Sequence, residues 1–149
     1  QRLTIRQAAS MMSALAAQEG DGGALPTPNV LRDLTLDLPG RKPEYLHAVS
    51  EAALDGRLDG AELRDLPAAE SLAQVQAITG IGPFSAELIV LRGAGPVDVL
   101  PRHEKRLEAE LLRLYGAAAD LSAVTARWEP FRTWAAVHLR AASGLQMTS

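Results

Sequence analysis

The sequence predicts an all-α fold built from many short helices, and three observations carry that prediction. Apolar residues recur at helical spacing in nearly every segment, as in Leu3, Ile5, Ala8, Ala9, Met12, Leu15 and Ala16. Prolines fall where helices open and glycines where they close, the asymmetry expected of helix punctuation. No stretch alternates apolar and polar residues long enough to make a strand, and Val97 to Leu100 is at best a short extended candidate.

Each element then follows in order. The first helix stops at Gly20–Gly23, and Ala24 to Pro28 is a loop. Thr27 is a good N-cap with Pro28 at the first helical position, opening a short helix through Leu34. Leu38-Pro39-Gly40 breaks the chain before a helix that starts at Pro43, carries Tyr45, Leu46, Val49, Ala52 and Ala53, and ends at Gly56. Short helices are expected over Ala61 to Leu66 and Ala69 to Ile78, the second broken by Gly80 and Gly82. Pro83 opens a helix running to about Arg92, and Pro101 one running to Tyr115–Gly116. Ser122 to Trp128 and Pro130 to Ala142 complete the chain.

The 149 residues fit one domain, 1–149, long enough to bury about 68–70% of the unfolded surface. A content of 47% apolar and 22% charged residues excludes a disordered tail. The absence of cysteine excludes disulfides, a thiolate nucleophile, cysteine zinc sites and an iron–sulfur cluster. His47, His103 and His138 show no metal-ligand spacing, so no metal is expected. Uncharged stretches fall far short of the roughly 20 residues of a membrane span, and no basic-then-apolar leader opens the chain. A cytoplasmic location, with which the absence of cysteine is compatible, is expected. The net charge of −3 argues against a general nucleic-acid coat and requires any nucleic-acid contact to be local. Charge is uneven along the chain: Glu51 to Glu70 carries a net −4, whereas Arg92 to Arg106 and Arg127 to Arg140 each carry +2.

The most informative stretch is Ile78-Thr79-Gly80-Ile81-Gly82-Pro83-Phe84-Ser85-Ala86-Glu87-Leu88. Two glycines flank one apolar residue between two helices. Both can adopt positive φ and leave the backbone bare, Ile81 would plug down between the helices, and the N–H groups of the turn would point outward to hold a phosphate. The bland alternative is a packing corner. The order helix, Gly-Ile-Gly, Pro, helix, Arg92-Gly93, then Asp98-Val99-Leu100-Pro101 is a longer signature.

At this point the chain resembles the helix–hairpin–helix DNA glycosylase superfamily, and within it the 3-methyladenine DNA glycosylase II-like branch. The resemblance covers nearly the whole chain: Gln1 to Ile5, the Ala24 to Pro28 loop, Leu38 to Leu46, the hairpin at about 69–92, and Trp-Glu-Pro-Phe-Arg-Thr-Trp at Trp128 to Trp134. It implies the multi-helix DNA glycosylase fold. Family members usually carry more chain ahead of the first match, so an N-terminal part is expected to be missing.

The resemblance implies base-excision repair on double-stranded DNA: a damaged base is flipped out, its N-glycosidic bond is hydrolysed, and a carboxylate stabilises the sugar cation. Ungapped, Glu104 falls on the family's catalytic Asp, one methylene longer. The lysine of the bifunctional branch would fall on Phe84, which implies a monofunctional enzyme. The substrate pocket implied by the resemblance comprises Phe84, where the branch usually has Trp, together with His103, Trp134, Tyr45 and Arg140, which stands where the branch often has an aromatic. Arg140 would repel a cationic base, pair with Glu104 or hydrogen-bond a neutral lesion. Asp98, the rival carboxylate, is expected to be structural, capping backbone amides near Pro101. DNA contacts are expected from Arg2, Thr79, Gly80, Ile81, Gly82, Ser85, Arg102 and Lys105. No cofactor is expected beyond a monovalent cation that hairpin carbonyls can hold, and the protein is expected to be a monomer. Two other classes stay open: a non-catalytic DNA or damage-binding module of the same fold, and a helical packing domain whose Gly80 and Gly82 are buried.

Overall fold

A computed structural model of the chain describes residues 4–19 and 24–145. Among them every regular element is helical: α1 (Ile5–Glu19), α2 (Pro28–Asp33), α3 (Lys42–Leu54), α4 (Gly60–Asp65), α5 (Ala68–Gln76), α6 (Pro83–Glu87) continued by a π-helical segment (Leu88–Ala94), α7 (Lys105–Tyr115), α8 (Leu121–Ala126) and α9 (Arg132–Leu145). The all-α expectation holds, and Val97 to Leu100 forms no strand. No helix among the described residues is long and apolar enough to cross a membrane.

The chain divides into two compact units, one formed by the residues up to Asp59 with Ile78–Gly80, the other by Gly60–Ala77 and the residues from Ile81 onward. In the first unit, Thr4 and Gln7 open α1 reciprocally. The Thr4 hydroxyl accepts from Gln7 N at 3.2 Å, and the Gln7 amide oxygen accepts from Thr4 N at 2.9 Å, a capping box. Thr27 occupies the N-cap of α2 with Pro28 after it, as the sequence predicts, although its side chain makes no cap bond. A hydrogen bond at 3.0 Å joins the His47 ring at Nε2 to the carbonyl of Leu34, fixing the exit of α2 on α3. Met11, Met12, Leu15, Leu38, Tyr45 and Leu46 wall an apolar groove of about 240 Å³.

In the second unit the π-helical segment packs against α4, α5 and α6. Leu63, Val75, Ala86, Val90, Leu91 and Ala94 are buried there. The Ser71 hydroxyl donates to the Leu63 carbonyl at 2.8 Å, a polar tie between α5 and α4 within that apolar layer. A second cluster of Leu107, Leu111 and Ala136 joins α7 to α9, with Leu100, Val124, Trp128 and Leu139 against it. The amphipathic pattern of Lys105 to Tyr115 is what forms this layer: Leu107 and Leu111 lie one turn apart and both face inward.

Of the helix boundaries that depart from expectation, three have a visible cause. The helix from Pro83 does not end at Arg92 but widens into a π turn, closed by Gly95 N donating to Val90 O at 3.0 Å with Gly95 at φ +86°. The wider turn lets Val90, Leu91 and Ala94 all face the core. Pro101 does not open α7, which starts at Lys105. The Glu87 carboxylate takes the amides of Arg102 and His103, holding Pro101 to Glu104 outside helical geometry. Pro130 does not open α9, which starts at Arg132, whose amide donates to Asp98 Oδ1 at 3.1 Å.

Candidate functional site

Glu104 ends the loop before α7 at the N-cap position. Its carbonyl accepts from Leu107 N at 3.0 Å and Glu108 N at 3.2 Å, so its backbone starts the helix. The side chain does not cap the helix. It turns inward, is only 8% exposed, and meets two arginines: Oε1 accepts from Arg140 Nε at 2.5 Å, and Oε2 from Arg92 Nη2 at 2.9 Å. The π segment brings Arg92 and α9 brings Arg140. A buried carboxylate is tolerated only when paired and hydrogen-bonded, and this one has a guanidinium on each oxygen.

Phe84, in the first turn of α6, lies 46% exposed and walls the same cleft as Glu104. Pro101, Leu91, Thr133 and Val137 complete most of its apolar lining. The cleft itself holds about 10 Å³, room for about one water. A larger groove of about 360 Å³ shares the Leu91, Arg92, Thr133 and Val137 walls and extends to Trp134 and His138. Trp134 is exposed, whereas Trp128 packs half-buried on the Leu107 layer.

The sequence reading did not include Glu87 among its site residues. It is buried within α6, and its carboxylate accepts from Arg102 N at 2.8 Å and His103 N at 3.0 Å. His103 Nδ1 lies 2.8 Å from Oε1 of the same carboxylate, with the His103 side chain half exposed. An acid between Ala86 and Leu88 in an apolar turn was the available signal. His103 is therefore engaged by Glu87 and does not line the cleft around Phe84.

Asp98 is structural, with a different partner from the one expected. It does not cap amides near Pro101; it accepts from Arg132 N, from Nε at 2.8 Å and from Nη2 at 2.9 Å. The Arg132 guanidinium holds its carboxyl below the usual carboxylate range. Beside it the Thr133 hydroxyl donates to Val99 O at 2.8 Å and accepts from Val99 N at 2.9 Å. These bonds pin the Val97 to Leu100 segment to the start of α9, and Glu104 lies only a few residues further along the chain.

At the hairpin only Gly80 takes positive φ, at +92°. Gly82, which could also have adopted positive φ, sits at φ −86°, extended, as the N-cap of α6. Thr79, Gly80 and Gly82 are exposed, while Ile81 and Ser85 are half-buried. Gly82 has open space around it, whereas Gly80 packs closely on Tyr45. Tyr45 belongs to the first unit, where it closes on Gly80 and carries Arg41 over its ring at 5.3 Å from the centroid. Arg102 and Lys105 are exposed on either side of Glu104. Arg2 lies outside the described residues. Among the described residues no group of three His, Cys, Asp or Glu side chains could hold a metal.

No protein-family model matches the chain. A stretch of 68 residues is 40% identical to the probable bifunctional transcriptional activator/DNA repair enzyme AlkA of Mycobacterium tuberculosis, covering 44% of this chain and 14% of that protein. The alkylbase DNA glycosidase-like protein mag2 of Schizosaccharomyces pombe is 22% identical over 93% of this chain and 71% of its own length. The crystal structure of a DNA-3-methyladenine glycosidase from Bacillus halodurans superposes with a TM-score of 0.80 at 31% identity, over all of this chain and 73% of that one.

Proposed function

Because the chain belongs to the helix–hairpin–helix DNA glycosylase superfamily, in its 3-methyladenine glycosylase-like branch, we propose that it is a monofunctional DNA glycosylase of base-excision repair. It acts as a monomer on duplex DNA and hydrolyses the N-glycosidic bond of a flipped, damaged base. The observation that carries this reading is that Phe84 and Glu104 face one cleft. Phe84 offers an exposed ring for the base to stack on, and Glu104 a carboxylate for the sugar. As the base departs with the bonding electron pair, positive charge grows on the sugar, and a buried carboxylate stabilises it more than one in water would. The same carboxylate orients the attacking water. No lysine lies between Lys42 and Lys105, so no amine stands near Phe84 in the sequence to form a Schiff base.

Glu in place of Asp moves the carboxylate by about 1.5 Å along its arm, and a misplacement of about 1 Å can cost about 10²-fold in rate. Here the two guanidiniums fix the longer arm in one position. Exposed Thr79, Gly80 and Gly82, half-buried Ile81 and Ser85, and exposed Arg102 and Lys105 are each taken to contact phosphates, which reads no sequence. Hairpin carbonyls offer a place for a monovalent cation.

A second reading is favoured by one specific observation: both Glu104 oxygens already hold an arginine, as in a domain that binds damage without cutting it. A single-turnover excision assay on lesion-containing duplexes separates the two. For the enzyme, Glu104→Gln lowers excision by about 10²-fold or more while DNA binding persists. Binding without excision by the wild-type protein across a panel of lesions establishes the second reading instead.

A further inference from the structure

A cavity of about 430 Å³ lies in the second unit where the end of α7 meets α8, walled by Tyr115, Asp120, Ala123, Val124, Arg127 and Trp128. It shares no wall with the cleft at Glu104, and the 11 residues of α7 set the two apart by about 16 Å. Its size falls within the roughly 300–1,000 Å³ of small-molecule sites. Tyr115, 48% exposed, and half-buried Trp128 give it aromatic surface. Arg127 is exposed, and among the described residues its guanidinium has no ion pair and no hydrogen bond. Asp120 caps α8: its Oδ1 accepts from Ser122 N at 2.9 Å and Ala123 N at 3.1 Å, which leaves Oδ2 without a partner among the described residues. Asp120 and Arg127 stand at opposite ends of α8, about 10 Å apart along its axis, and do not pair with each other.

These two charges cancel, so the cavity has no net charge with which to gather a polyanionic strand. It fits one small molecule with an anion at one end, a flat ring in the middle and N–H donors at the other end. A mononucleotide has its parts in that order. Its phosphate suits the planar fork of Arg127, and its base stacks on aromatic surface. The free Asp120 oxygen accepts only from a donor edge. Guanine presents a ring N–H and an amino group side by side, whereas adenine sets an amino group beside a ring nitrogen whose lone pair the carboxylate repels. We propose that the cavity between α7 and α8 is a second ligand site, one that binds a guanine mononucleotide with its phosphate on Arg127 and its base edge on Asp120.

The proposal does not rest on the glycosylase reading. Its test follows Trp128 emission in the full chain carrying Trp134→Phe, which leaves a single indole. Guanosine monophosphate is expected to quench that emission saturably. It should bind about 10-fold more tightly than adenosine monophosphate, which lacks the donor edge, or guanosine, which lacks the phosphate. Arg127→Gln should weaken guanosine monophosphate about 10-fold and leave guanosine unchanged. Asp120→Asn keeps the helix cap through its amide oxygen but turns the free acceptor into a donor, and should erase the preference for guanine over adenine. Circular dichroism checks that both variants fold. No saturable quenching, or an affinity for guanosine monophosphate unchanged in Arg127→Gln, overturns the proposal. So does tighter binding of the single-stranded trinucleotide d(TGT), which would make the cavity a strand contact. Equal affinity of the unsubstituted site for the guanine and adenine monophosphates overturns the choice of guanine.

Discussion

A methyl group on Gly80 would press into the ring of Tyr45, 2.6 Å from Cδ1 and 2.8 Å from Cβ, at a φ of +92°. Gly82, two residues on, has open space where its Cβ would be and an extended backbone. The Gly-Ile-Gly motif therefore contains one conformational glycine and one that only keeps the surface bare. Gly80→Ala is expected to cost more than about 1–2 kcal/mol, the left-handed penalty plus the clash, while Gly82→Ala costs far less. Urea unfolding of the two variants checks this directly. The motif was legible in the sequence, but the division of labour between its glycines was not, because Tyr45 is 35 residues away and only the fold brings it near. Arg140 as a partner of Glu104 was among the readings the sequence allowed. Arg92 on the second oxygen was not, because a lone basic residue at a helix end reads first as a solvated one.

At the scale of elements, proline and glycine punctuation fixed helix starts where the local chain decides them, as at Pro28 and Pro83. It failed at Pro101 and Pro130, where a carboxylate from elsewhere captures the amides first. Glu87 delays α7 and Asp98 sets the start of α9, and neither partner is local in sequence. Such tertiary capture overrides propensity because several charge-assisted bonds outweigh the few tenths of a kcal/mol that separate one helix start from the next. Glu87→Ala leaves three donors without an acceptor and is expected to destabilise the protein by about 1.5–3 kcal/mol, read from a lower urea midpoint at unchanged slope. Excision should fall with it, because the loop that presents Glu104 loses its anchor.

At the scale of the whole molecule, the net charge of −3 and the local basic runs agree with a protein that meets DNA at one place. Stability should also record the Asp98–Arg132 tie, which joins distant stretches of chain. The folded carboxyl titrates below its ordinary range, so its contribution is complete above the unfolded value of about 3.9 and disappears as pH falls through the folded one. Thermal melts of the wild type and Asp98→Asn should differ by a constant gap at neutral pH that closes only in acid. The two indoles of the chain occupy contrasting surroundings: Trp128 lies half-buried on the Leu107 layer, and Trp134 stands exposed at the groove beside Arg92. Their emission therefore separates by colour. The blue component follows the integrity of the α7–α9 layer, the red component follows occupancy of the groove, and the protein carries its own optical gauge of folding and of filling without an added label.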